Sequence, residues 1–187
     1  MGQTQTMIAE IEIQASPETV RSVFMDFSRY KEWNKWKVEP ADASKRPDEL
    51  QPKDKLKVDL GTMKFSPTLL QNSTDAFEWH GNLWPIFSGK HEFTWQPSSK
   101  TPGGTTFRQK EDFTGLLAFL MAPGRSSSKK SLDNWEKFNA DLKKEVERSH
   151  AQTRRDGLAS LDGPDASSLL EKFQQPSPPV ETLPPET

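Results

Sequence analysis

Met7, Ala9, Ile11 and Ile13 are apolar on one parity, and Glu10, Glu12 and Gln14 fall on the other. That period of two predicts a half-buried strand. Ser16-Pro17-Glu18 follows as a helix start: a hydroxyl that caps, a proline whose missing N–H is not needed there, and a carboxylate at the positive end of the dipole. Val20, Val23, Phe24 and Phe27 recur at helical spacing, and Tyr30 and Trp33 predict a second short helix ending near Asn34. From about Lys37 the period returns to two, through Leu56, Val58 and Leu60, then Met63 and Phe65, then Phe77, Trp79 and Gly81. The longest alternations are Phe87, Gly89, His91, Phe93 and Trp95, and Phe107, Gln109, Glu111 and Phe113, joined by a Pro- and Gly-punctuated hairpin loop from Pro97 to Gly104. Leu132, Trp135, Phe138, Leu142 and Val146 then predict an amphipathic helix that starts after a Ser126–Lys130 loop and runs to about His150. An antiparallel meander with one wet face, its dry face covered by the last helix, is an α+β fold.

The parity also selects candidate chemistry. On the hairpin strands one face reads Ser88, Lys90, Glu92, Thr94, Gln96 and Thr106, Arg108, Lys110, Asp112, Thr114, which places it in water. The other face is aromatic apart from Gly89 and three polar residues, His91, Gln109 and Glu111, which therefore point inward. A hairpin symmetric about Thr101 puts His91 opposite Glu111 and Phe93 opposite Gln109, at the ~4.5–5.5 Å Cβ spacing of cross-strand partners. Unsatisfied buried polar groups cost about 1–3 kcal/mol each, so three on one dry face need partners. They satisfy one another as a structural network, or they fix a polar group of a guest in an apolar cavity. A third reading is acid–base chemistry by His91 with Glu111 orienting it. Asn139, on the apolar stripe of the last helix, either bonds to the sheet or reaches the same space. Trp79, Phe93, Trp95, Phe107, Phe113, Trp135 and Phe138 are core aromatics that would double as cavity wall. Trp33, Trp36 and Trp84-Pro85 are placed at the opposite mouth. The apolar run Gly115–Pro123 is expected to continue the last strand and pack at the sheet end. Its alternative is an apolar lip that admits ligands or touches a membrane.

Composition narrows the function. Only 32% of the 187 residues are hydrophobic and 28% are charged, but all six Trp and ten of eleven Phe precede residue 150. The chain thus divides into an aromatic domain, residues 1–150, and a Pro-rich acidic tail, 151–187, expected to be disordered and to offer at most a weak protein-docking motif. No cysteine is present, which excludes disulfides and thiol nucleophiles and favours a reducing compartment. A net charge of -2 provides no field for nucleic acid. No run reaches the length of a membrane span, and the first six residues lack the basic and apolar regions of a secretory signal. His80, His91 and His150 lack zinc-site spacing, and no phosphate- or dinucleotide-binding loop occurs. Neither metal nor cofactor is expected, and the expected setting is a cytoplasmic monomer.

Several segments together resemble a known family: Ile11-Glu12-Ile13-Gln14-Ala15-Ser16-Pro17-Glu18, Phe24-Met25-Asp26-Phe27-Ser28, Phe77-Glu78-Trp79-His80-Gly81, Phe87-Ser88-Gly89-Lys90-His91-Glu92-Phe93, Gly104–Gly115 and Trp135–Lys143. In that order they resemble the SRPBCC proteins, the START-like superfamily of the birch pollen allergen, and within it the polyketide cyclase/dehydrase and lipid-transport branch. The resemblance spans residues 7 to about 149. It implies a helix-grip fold, with a seven-stranded curved antiparallel sheet wrapped around a long C-terminal helix, two short helices after the first strand, and a hydrophobic cavity between sheet and helix. It carries no catalytic motif, because site residues differ between branches. The reading that follows is an intracellular carrier of a small hydrophobic molecule, lipid or polyketide-like. The alternative is a cyclase or dehydratase using His91 and Glu111.

Overall fold

A computed structural model of the chain describes residues 4–83 and 87–161. The first strand, β1 (Gln5–Ile13), leads into α1 (Pro17–Met25), where Ser16 caps as its side chain accepts from the Thr19 N–H at 3.3 Å. A 3-10 turn at Phe27–Arg29 passes to α2 (Tyr30–Trp33). The strands β2 (Lys37–Pro40), β3 (Leu56–Asp59), β4 (Lys64–Phe65), β5 (Thr68–Asn72), β6 (Ala76–Leu83), β7 (Phe87–Pro97) and β8 (Thr105–Thr114) follow, and α3 (Ser126–Leu161) comes last.

Eight strands form two antiparallel sheets, in the orders β1-β8-β7-β6-β5 and β2-β3-β4, rather than seven in one. The ladder breaks where Pro67, which has no N–H to donate, precedes β5. The two sheets remain stitched there: Lys53 and Leu56 donate their N–H groups to Leu69 O (2.8 Å) and Pro67 O (3.0 Å), and Lys55 bridges Thr68.

Two expectations around the last helix are corrected. The Gly115–Pro123 run does not extend β8: Gly115 takes φ 104°, which turns the chain off the sheet, and Ala118–Met121 coil into a 3-10 helix. Ser126–Lys130 is helix rather than loop. The Ser128 hydroxyl lies within bonding distance of the Ala122 and Arg125 carbonyls, and the Lys129 N–H bonds to Arg125 O at 3.0 Å, which starts α3 early. The helix also runs past His150. Two compact units divide at His150 and Ala151, and the described residues of the second, 151–161, are helical. The Pro-rich segment beyond them lies outside the described residues, as do Trp84 and Pro85.

The interior of the first unit is aromatic. Phe24 of α1 packs its ring against Phe77, Phe93, Trp95, Phe107 and Phe138 at centroid distances of 4.9–6.3 Å. Tyr30 is buried beside it and donates its hydroxyl to Phe24 O at 2.6 Å, tying α2 to the end of α1. Tyr30→Phe should lose about 1 kcal/mol, the net worth of a buried hydrogen bond. The check is a lower urea midpoint at unchanged slope.

Candidate functional site

The β7–β8 hairpin has the symmetric register: His91 pairs with Glu111, Phe93 with Gln109 and Gly89 with Phe113. Inward parity holds for His91 and Gln109, which are buried, while the Glu111 side chain keeps 16% of its surface open. The outer face is not uniformly wet, because Ser88 is buried against His80 (2.6 Å).

A polar chain crosses from sheet to helix. Asn139 Oδ1 accepts from Gln109 Nε2 at 2.7 Å, and the Trp135 carbonyl accepts from the same nitrogen at 3.4 Å. A backbone carbonyl only accepts, so this amide presents its oxygen to His91 Nε2, 3.0 Å away. His91 therefore carries a proton on Nε2, and its Nδ1 faces Glu111 Oε2 at 3.3 Å. The Asn139 amide NH2, on Nδ2, is buried without a hydrogen-bond partner.

Burial decides the protonation of the pair. It pulls the His91 imidazole down to about 3 and pushes the Glu111 carboxyl up to about 8, where nearby Asp112 adds to the rise. Although the two groups stand at ion-pair distance, both are neutral at pH 7. A protonated Glu111 carboxyl is placed to donate to the unprotonated His91 Nδ1, 3.3 Å from its Oε2. The imidazole is further held by stacking on Phe93 (4.3 Å, 14°) and packing against Trp135 (4.6 Å).

The pair stands at the boundary between a solid and a hollow half of the interior. Beyond it lies a cavity of about 320 Å³, walled by the inner face of β6–β8, the first turns of α3 and the Leu60–Ser66 segment that carries β4. Gly81 and Gly89, cross-strand partners, line its floor, where the Phe65 ring packs over Gly81 and the Glu111 side chain over Gly89. Glu111 depends on this: a Cβ on Gly89 would stand 2.1 Å from its Oε1.

Of the residues singled out from sequence, His91, Glu111, Phe113 and Trp135 line this cavity. Trp79, Phe93, Trp95, Phe107, Gln109, Phe138 and Asn139 lie in the solid half or behind the wall. Trp36 does not gate a mouth: it is buried and stacks on Phe138 at 4.2 Å. Trp33 is half-buried against Tyr30 and Phe138. Leu60, Met63, Phe65, Met121, Ser131 and Asn134 also line the cavity. Leu60, Met63 and Phe65 are visible in sequence as an alternation, but nothing local to Met121, Ser131 or Asn134 marks them as wall. Among the described residues no cluster of His, Asp or Glu is arranged to hold a metal ion, and no helix is long and apolar enough to cross a membrane.

Residues 4–147 match the family described as polyketide cyclase / dehydrase and lipid transport. No curated protein matches the chain in sequence. Similar solved structures include a START superfamily protein from Mycobacterium smegmatis, 19% identical over 76% of this chain and 97% of that one, with a TM-score of 0.54. The Zhui aromatase/cyclase from Streptomyces sp. R1128 is 16% identical over 78% and 95%, with a TM-score of 0.55. A norcoclaurine synthase point mutant from Thalictrum flavum, in complex with a transition-state analogue, is 11% identical over 80% and 98%, with a TM-score of 0.57. These structural likenesses show the fold, and the match over residues 4–147 shows the lineage: the chain belongs to the polyketide cyclase / dehydrase and lipid transport family.

Proposed function

We propose that the protein binds and carries a small hydrophobic molecule bearing one polar group. The observation that carries this reading is the hollow of about 320 Å³ whose wall sets Phe65, Phe87, Phe113 and Trp135 beside the His91–Glu111 pair. That volume lies at the small end of the ~300–1,000 Å³ range of ligand pockets. It equals roughly ten water molecules of liquid volume, which suits a one- or two-ring molecule or a short acyl chain better than a diacyl lipid. Phe113, Phe87 and Trp135 supply apolar surface, and the cavity-facing Glu111 carboxyl supplies the hydrogen bond that orients the guest.

The test is native mass spectrometry of protein purified from its own host, repeated with Gly89→Val. The wild type should carry a co-purifying small molecule. The valine, which fills the hollow and displaces the Glu111 carboxyl, should reduce occupancy at least about tenfold while the fold persists. A wild-type protein with no adduct, and no uptake of 1-naphthol as an apolar probe, would sink the reading.

A second reading rests on the same pair. A carboxyl kept protonated beside a neutral imidazole is a donor next to an acceptor, the requirement for general acid–base work in a cyclisation or dehydration. The structural likeness to an aromatase/cyclase is consistent with it. His91→Phe separates the two: apolar binding largely survives if the protein is a carrier, and turnover of a polyketide-type substrate is abolished if it is an enzyme.

A further inference from the structure

The segment that leaves the sheet after β8 has an unusual surface. Ala118 and Met121, three apart on the 3-10 helix and so on one side of it, are buried. Around these two feet, Leu116 is 73% exposed, Leu117 38%, Phe119 50% and Leu120 36%. Single exposed apolar residues are ordinary, but four within five positions are not. A groove of about 370 Å³ between β1 and the start of α3 extends the apolar surface, lined by Ile8, Pro123 and Leu132 among others.

Charge indicates what covers it. From Gly115 to Leu132 the chain holds Arg125, Lys129 and Lys130 and no acidic residue, although the whole protein is net negative. All three are exposed, and none takes part in an ion pair among the described residues. Part of the backbone is bonded within the segment: the N–H groups of Ala118, Leu120 and Ala122 bond to the carbonyls of Gly115, Leu117 and Phe119 at 3.0–3.2 Å. Such internal bonding lowers the cost of placing a loop in a low-dielectric layer.

We propose that residues 115–121, flanked by Arg125, Lys129 and Lys130, dock on the surface of an anionic lipid bilayer. Leu116, Leu117, Phe119 and Leu120 enter the acyl boundary, and the three basic groups sit at the level of the headgroups, within reach of the negative surface potential. An exposed apolar loop followed by three cations, unpaired among the described residues, fits a soft anionic layer. A protein partner of the same sign preference would need a concave apolar seat. Met121 lines both the groove beside this loop and the cavity, so docking brings the cavity wall to the lipid. The docking itself does not depend on what the cavity holds.

The experiment is co-sedimentation of the full chain with phosphatidylcholine vesicles, with and without phosphatidylserine. The wild type should partition onto phosphatidylserine vesicles at least about tenfold more than onto phosphatidylcholine alone, and raised salt should weaken it. Leu116→Ser with Phe119→Ser should lose at least about tenfold in partitioning, with an unchanged circular dichroism spectrum because both side chains are exposed. Lys129→Glu with Lys130→Glu should lose binding on phosphatidylserine vesicles only. Wild-type protein left in the supernatant, or a serine variant that binds as well as wild type, overturns the proposal. So does a concentration-dependent dimer abolished by the serine variant, which would assign the loop to a second copy.

Discussion

Phe24→Ala is expected to destabilise the protein by about 3–5 kcal/mol, the cost of removing a buried aromatic ring from a site that cannot close around the gap. The ring is almost fully buried, and its neighbours Phe77, Phe93, Trp95, Phe107 and Phe138 belong to three different strands and the last helix. Collapse would require those elements to move together. Against a typical stability of roughly 5–15 kcal/mol, such a loss leaves a marginal protein. Phe24→Leu, which retains most of the volume, should cost far less. Guanidinium unfolding of both variants measures the difference. A loss below about 1 kcal/mol for the alanine would mean that this half of the interior is not the solid core on which the cavity description depends.

Glu111→Gln should leave stability nearly unchanged below about pH 4.5 and raise it increasingly above the wild type as pH rises toward 8. The amide N–H of glutamine replaces the acid O–H in donating to His91 Nδ1, so the local bonding survives. In the wild type, Glu111 titrates near 8 when folded and ordinarily near 4.5 when unfolded. Between those values the native state retains a proton that the unfolded state has released. Stability from this group is therefore complete below about 4.5 and falls by about 1.4 kcal/mol per pH unit as pH rises toward 8. His91 acts in the opposite sense: its folded value near 3 lies below its ordinary 6.5, so its contribution is complete above 6.5 and fades as pH falls. From 4.5 to 6.5 the two slopes cancel in the wild type. Removing the carboxyl abolishes one of them, and the variant should gain on the wild type by about 1.4 kcal/mol per unit across that interval and on to pH 8. Denaturant titrations at several pH values read this slope. Where the proton resides has its own signature, a protonated-carboxyl stretch in the infrared spectrum that Glu111→Gln removes. A charged imidazolium at His91 in nitrogen NMR near pH 7 would contradict the assignment.

The hairpin shows how far local pattern carries. Alternation from Phe87 to Phe113 fixed which side chains face inward, and a loop symmetric about Thr101 placed His91 across from Glu111, although a slip of two residues would keep the same face inside. The start of α1 was equally legible, since Ser16 and Pro17 act on their immediate neighbours. The break between the two sheets was not read, because β5 has no alternation in Thr68–Asn72 and its pairing depends on how Pro67 interrupts a ladder formed with distant residues. The segment after Gly115 was misread as strand for a related reason. Its residues are apolar throughout, and burial of Ala118 and Met121 against the body of the fold, rather than local period, selected the 3-10 helix.

Residue order alone thus settled the class of fold, the helix boundaries governed by nearby caps, the inward direction of His91, Gln109 and Glu111, and membership of a family. Folding in three dimensions determined which part of the interior is empty, since the hollow lies where the Leu60–Ser66 segment, the inner face of β6–β8 and the start of α3 come together. It also set the protonation of the pair, because burial among residues distant in sequence raises the Glu111 carboxyl to about 8 and lowers the His91 imidazole to about 3. Both depend on contacts between residues far apart along the chain, and neither strand parity nor helical period contains that information.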